Sequence, residues 1–248
     1  MIKIVFLGTN GWYDTQTGNT PSVLIETQGE YIVLDAGYGI HKLGRHVTNN
    51  KPVYLFLSHF HLDHVIGLHV LGKFEFASGL RIVGHAGARR ILSTLVNSPF
   101  TIPLEQLKYK TEVYEFPEKQ AALPLKVVSL PLNHSSTCLG FRFEIENKVV
   151  SYCIDTGYCR NAIELARDAD LLIAECSLKS GQSDDGWPHL NPATAALLAH
   201  KSNARRLALT HFDASVYTTF EDRREAEREA RKMFANTFAM FDDMMMEI

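Results

Sequence analysis

Residues 58–64 read SHFHLDH, directly after the apolar run VYLFL at 53–57. Three imidazoles and one carboxylate (His59, His61, Asp63 and His64) fall within six consecutive positions. A nearly continuous apolar run is the pattern of a strand covered on both sheet faces. His59 and His61, two apart on an extended chain, project to the same side. Asp63 and His64, in a tight turn after it, face another way. Imidazole and carboxylate at this spacing suit a divalent transition metal, and imidazole favours Zn²⁺. One short segment can therefore serve two ions.

Two such ions need more ligands than this segment supplies, and the rest of the chain offers them at strand ends. KIVFLG opens the chain as a strand and runs into the polar loop TNGWYDTQTGNTPS. SVLIETQGEYIVLDAG reads as a hairpin around QGE. VIGLHVLGKFEFAS is expected as a helix with a turn, LRIVGH as a strand and AGARRILSTLV as a helix. From about residue 125 the order loosely repeats: the strand LKVVSLPLNH, the hairpin GFRFEIENKVVSYCIDTG, and the strand RRLALTH. Between the last two lie a short helix, the strand of RDADLLIAEC, and the helix NPATAALLAHKS, with Asn191 as its cap and Pro192 in the first turn. FEDRREAEREARKMF is a charged amphipathic helix, and FAMFDDMMMEI is expected to close the chain as an edge strand. Both halves run strand, hairpin ending in Asp-x-Gly, and strand ending in Ser-His or Thr-His. That repeat predicts two similar β-rich halves packed face to face with helices outside. It makes 1–248 a single domain with pseudo-halves of about 1–124 and 125–248. His134, Asp155 and His211 stand where strands run out into loops, the usual place for sites in α/β folds.

Composition narrows the function classes. The 248 residues are 46% hydrophobic and 21% charged, enough to bury a substantial core. A formal net charge of −3 without a long Lys/Arg block disfavours a grip on nucleic-acid backbone. Four cysteines with no CxxC pair argue against a disulfide framework, so a reducing cytoplasm is the expected location. The N-terminus does not read as a signal peptide. No stretch approaches the roughly 18–20 apolar residues of a membrane helix.

HFHLDH followed by His134, Asp155 and His211 resembles the metallo-β-lactamase superfamily along essentially the whole chain. The resemblance implies an α/β fold, a four-layer αβ/βα sandwich with two mixed sheets and outer helices. It implies a dinuclear centre with two divalent ions, zinc favoured and manganese or iron as alternatives. One ion would take His59, His61 and His134, and the other Asp63, His64 and His211, with Asp155 bridging. An aspartate at the bridge and a histidine at 64 disfavour antibiotic hydrolysis. His61, where a diiron branch carries glutamate, disfavours oxygen chemistry. His134 in LNHSSTCLGFRF, the opening LGTNGWYDTQTGNTPS, THF at 210–212 and AEC…HLNPATAALLA look like the tRNase Z and phosphodiesterase branch.

The family's bacterial tRNase Z carries a long arm between the third histidine and the bridging aspartate, and here a hairpin fills that interval. A small or cyclic phosphodiester is therefore the expected substrate. RNA processing and ester, lactone or sulfate hydrolysis stand as alternatives. The resemblance casts Asp63 as proton acceptor, and His189 oriented by Glu175 as general acid. His189 can equally be a loop residue capping the next helix. Asp35 is either a hydrogen-bond acceptor for a ligand imidazole or a turn residue. Ser58 and Thr210 precede ligands and can bond them or stabilise turns. Asn133, Ser135, Ser136 and 17–20 are candidates for the substrate mouth. Cys153 and Cys176 read as small core residues. Dimers are common in what the chain resembles.

Overall fold

A computed structural model describes every residue except Asp185. Its strands, in chain order, are β1 (Lys3–Gly8), β2 (Asn10–Gly11), β3 (Ser22–Glu26), β4 (Tyr31–Leu34), β5 (Val53–Phe56), β6 (Leu80–His85), β7 (Thr111–Phe116) and β8 (Val127–Pro131). They continue with β9 (Leu139–Ile145), β10 (Lys148–Cys153), β11 (Leu171–Glu175), β12 (Leu207–Thr210), β13 (Phe212–Asp213), β14 (Thr237–Ala239) and β15 (Met245–Glu247). The helices are α1 (Leu62–Val65), α2 (Ala88–Leu95), α3 (Arg160–Ala166), α4 (Pro192–Lys201) and α5 (Phe220–Arg231).

Two large sheets have the orders β15-β1-β3-β4-β5-β6-β7 and β14-β12-β11-β10-β9-β8, and β13 pairs with β2 in a small third sheet. β5 explains the layering. Val53 and Leu55 join an outer core with Leu68, Leu71 and Leu92, while Tyr54 and Phe56 point into the core between the sheets. Phe56 there meets Phe141 and Phe143 of the opposite sheet edge to face, at 5.2 and 4.9 Å between centroids. Such aromatic pairs add about 0.5–1.5 kcal/mol each beyond area burial. A third core, under α3, α4 and α5, covers the far face of the second sheet. The result is the four-layer αβ/βα sandwich that the sequence predicts.

The halves match in topology. β1-β3-β4-β5-β6 pair antiparallel, antiparallel, parallel and parallel, and β8-β9-β10-β11-β12 do the same. This corrects one equivalence drawn from sequence. The partner of β5 is β11, which ends at Glu175, whereas the His211 strand β12 corresponds to β6.

Four other expectations change. His59 and His61 lie just beyond β5, which ends at Phe56. The segment 65–78 forms a 3₁₀ turn, Ile66–Lys73, after the short α1, instead of a longer helix. Gly67 there packs so closely on the Gly37 carbonyl that a Cβ has no room. The C-terminal stretch makes two strands in different sheets, β14 beside β12 and β15 beside β1. β7 was not read from sequence, because its two glutamates and partial burial mark an edge strand without a strong apolar signal. Asn191 does cap α4, in a capping box with Thr194. No described helix is long and apolar enough to cross a membrane.

Candidate functional site

The seven candidate ligands, His59, His61, Asp63, His64, His134, Asp155 and His211, gather with Asp35, Glu175 and His189 at one end of the two large sheets. His59, His61 and His134 offer ring nitrogens within 4.8 Å of one another, and the imidazole nitrogens and carboxylate oxygens of Asp63, His64 and His211, and of His59, His64 and Asp155, lie equally close. Asp155 Oδ2 lies 2.6 Å from His64 Nε2, 3.3 Å from His59 Nε2 and 3.4 Å from His211 Nε2. His134 Nε2 stands 3.2 Å from His61 Nδ1.

The surrounding oxygens fix the imidazole tautomers. Asp35 Oδ2 accepts from His64 Nδ1 at 2.8 Å, which leaves His64 Nε2 turned to the centre. Ser58 gives its hydroxyl proton to Asp35 Oδ2 at 2.8 Å and so accepts from His59 Nδ1 at 3.0 Å. Ser177 donates to the His211 carbonyl at 2.9 Å and therefore accepts from His211 Nδ1 at 3.1 Å. Three Nε2 atoms are thus pointed inward by hydrogen bonds on the far side of each ring.

This donor set fits a cation. His64 Nε2 and His211 Nε2 face each other at 3.1 Å, each 3.4 Å from Asp63 Oδ2. With both Nδ1 atoms protonated, two lone pairs and a carboxylate converge, which is stable only around a proton or a metal ion. Among the described residues, buried His59 Nε2 has no hydrogen-bond partner. The electrostatics agree. Burial opposes a charge on His64, but Asp63, Asp35 and Asp155 overcome it and hold its pKa well above the ordinary value. Asp155 is likewise held well below the carboxylate range, because His211, His64 and His59 outweigh the cost of burial. Burial lowers His59 and His61 and takes His134 to about 4, which keeps these rings neutral and able to coordinate.

Glu175 is fully buried and receives the Thr156 amide at 2.6 Å and the Ser177 amide at 3.3 Å. His189 Nδ1 donates to Glu175 Oε1 at 2.9 Å and lies 3.5 Å from Asp155 Oδ1. Burial alone would lower the His189 pKa, but Glu175 reverses this and pushes it up to about 9. The cap of α4 is Asn191, so His189 faces the centre without capping the helix.

The loop 9–19 closes one wall. Gly11 packs on the His211 ring so tightly that a Cβ would lie 2.7 Å from Cε1. Fully buried Arg223 of α5 holds this loop, binding Thr9 Oγ1 at 2.8 Å, Thr17 Oγ1 at 3.2 Å and also Asn10 Oδ1. Thr17 and Thr20 therefore build the loop and do not line a mouth: Thr20 Oγ1 accepts from the Tyr38 amide at 2.7 Å. Asn133, Ser135 and Ser136 are exposed beside His134. Ser58 bonds Asp35 and His59, whereas the buried Thr210 hydroxyl has no partner among the described residues. The sequence reading missed Ser177. Its place two residues beyond Glu175, at the end of a buried strand, was the available signal.

The profile of the family described as Beta-lactamase superfamily domain matches residues 30–212. The chain is similar to the Probable metallo-hydrolase YhfI of Bacillus subtilis (strain 168), 26% identical over 225 residues, covering 85% of this chain and 86% of the relative. It is 24% identical over 300 aligned residues to Ribonuclease Z of Bacillus thuringiensis (strain Al Hakam), covering 95% and 96%. The crystal structure of Bacillus subtilis YhfI superposes with a TM-score of 0.81 at 24% identity over 100% of both chains. That of the short form of human tRNase Z gives 0.76 at 23% identity over 99% of both. The chain thus belongs to the metallo-β-lactamase superfamily, as a divalent-metal-dependent hydrolase of its tRNase Z-like branch.

Proposed function

We propose that the protein hydrolyses a small or cyclic phosphodiester at a dinuclear centre, with zinc as the favoured ion. His59, His61 and His134 would hold one ion, Asp63, His64 and His211 the other, and Asp155 both. Bound there, the ions would activate water and neutralise phosphoryl oxygens. The residues supply the rest. Asp35, Ser58 and Ser177 keep the imidazoles aimed. Asp63, held ionised by His64 and His211 against the cost of burial, takes the proton of the attacking water. His189, kept protonated by Glu175, gives a proton to the leaving oxygen.

The observation that carries the choice of substrate is the β9–β10 hairpin. Ile145 pairs with Lys148 across the two-residue turn Glu146–Asn147, both residues at positive φ. The interval between His134 and Asp155 is filled by this hairpin, which leaves no room for a tRNA-binding arm. The alignment to Ribonuclease Z runs over more positions than this chain has residues, so that relative carries segments with no counterpart here. The net charge of −3 points the same way.

The second reading, a tRNA 3′-end endonuclease, is favoured by the Ribonuclease Z similarity itself. One panel on the metal-loaded protein separates the readings: bis-p-nitrophenyl phosphate, cyclic nucleotides, a precursor tRNA, a lactone and an aryl sulfate. Turnover of the small phosphodiesters with the precursor tRNA left intact is expected. Efficient lactone or sulfate turnover without phosphodiester cleavage would overturn the proposal.

A further inference from the structure

Both tryptophans of the chain stand in solvent at the rim of this one site. Trp12 is 67% exposed and Trp187 53%. Tryptophan is buried on average, so exposing every copy beside one centre runs against its packing value. The Trp187 ring lies 5.5 Å from that of His61 and 6.1 Å from that of His134. The Trp12 amide donates to Asp63 Oδ2 at 2.9 Å.

Neither indole is on a loose tail. Trp12 is held at φ 72°, a left-handed conformation that bulky residues rarely adopt. Its ring meets Tyr13 edge to face at 5.2 Å, and its loop is anchored by Arg223. Trp187 and Gly186 both donate their amides to Asp184 Oδ1, at 3.0 and 2.8 Å. The next residue, Pro188, sits on Gly157, where an added Cβ would come within 2.9 Å of it. These are preformed aromatic faces beside a centre suited to phosphate, and a planar aromatic group attached to the phosphate is what such faces bind.

We infer that the substrate is a nucleotide phosphodiester whose base stacks on Trp187, with Trp12 bounding the mouth beside Asp63. This rests on the proposed phosphodiester chemistry and names its substrate class. The test uses the metal-loaded full chain and tryptophan fluorescence. In W12F, Trp187 is the sole indole, and 5′-AMP should quench it saturably while ribose 5-phosphate and inorganic phosphate do not. In W187A, the preference in kcat/KM for 2′,3′-cyclic AMP over a base-free sugar cyclic phosphate should fall about tenfold or more. W187F should restore most of it.

Phosphodiester turnover with no base preference and no quenching would overturn stacking while sparing the proposed reaction. Quenching by AMP with no phosphodiester turnover would support stacking and overturn the reaction. Emission that tracks protein concentration instead of AMP, with W187A converting a dimer to a monomer, would assign the indoles to a subunit contact and overturn the inference.

Discussion

Asp35 and Asp155 close matching hairpins, after β4 and β10, and hold the same left-handed backbone, at φ 58° and 51°. Their surroundings differ. Asp35 accepts from the Ser58 amide and hydroxyl, from His64 Nδ1 and from the Tyr152 hydroxyl, at 2.7–2.8 Å. Among the described residues no amide or hydroxyl donates to Asp155, which faces imidazole nitrogens instead. The same strand-end geometry has thus been given two uses. A carboxylate saturated by fixed donors becomes scaffold, and one surrounded by lone pairs becomes a place for a cation. Asx residues suit both positions, because their short side chains tolerate the left-handed region at little cost.

The sharpest way to break the contrast is to exchange each carboxylate for an amide. D155N should lose turnover altogether and bind fewer than two metal ions per chain by elemental analysis, while its melting temperature changes less than that of D35N. D35N sets an amide NH₂ against the Ser58, His64 and Tyr152 donors and should cost about 3 kcal/mol in urea unfolding. Equal stability losses in the two variants would remove the distinction.

The centre's acid comes next. H189A should lower kcat about 10²–10⁴-fold with metal content unchanged, and parallel loss of metal would sink the acid role. A protonated acid works below its pKa, so kcat should decline as pH rises through about 9. Glu175 is what raises that value, so E175Q should move the alkaline limb to lower pH.

S177A removes the acceptor that fixes His211 and should weaken metal binding about 10–100-fold, read by competition with a chromophoric chelator. Y152F takes away one of four donors to Asp35 and should cost about 1 kcal/mol of stability with only a few-fold change in rate.

Much of this was legible in advance. HFHLDH, His134, Asp155 and His211 carry their chemistry in residue type and sit at the ends of apolar runs. The hairpins announced themselves through QGE and ENK. What escaped was chemistry without periodicity. Ser177 is one serine among many until folding brings β11 beside β12, where Glu175 pairs with Thr210 in parallel register. The aromatic rim was equally hidden, because Trp12 and Trp187 lie 175 positions apart in sequence. β7 and the split C-terminus were missed because edge strands are only half buried and their hydrophobic alternation is weak.

The sequence by itself determined the architecture and the type of centre, since buried strands and coordinating side chains are local properties of the chain. Tertiary structure decided which imidazole nitrogen points inward, which aspartate is saturated and which is left to a cation, and that both indoles stand at one mouth. Those outcomes depend on hydrogen bonds and approaches between segments far apart in the chain, and on distances of a few tenths of an ångström that no local pattern encodes.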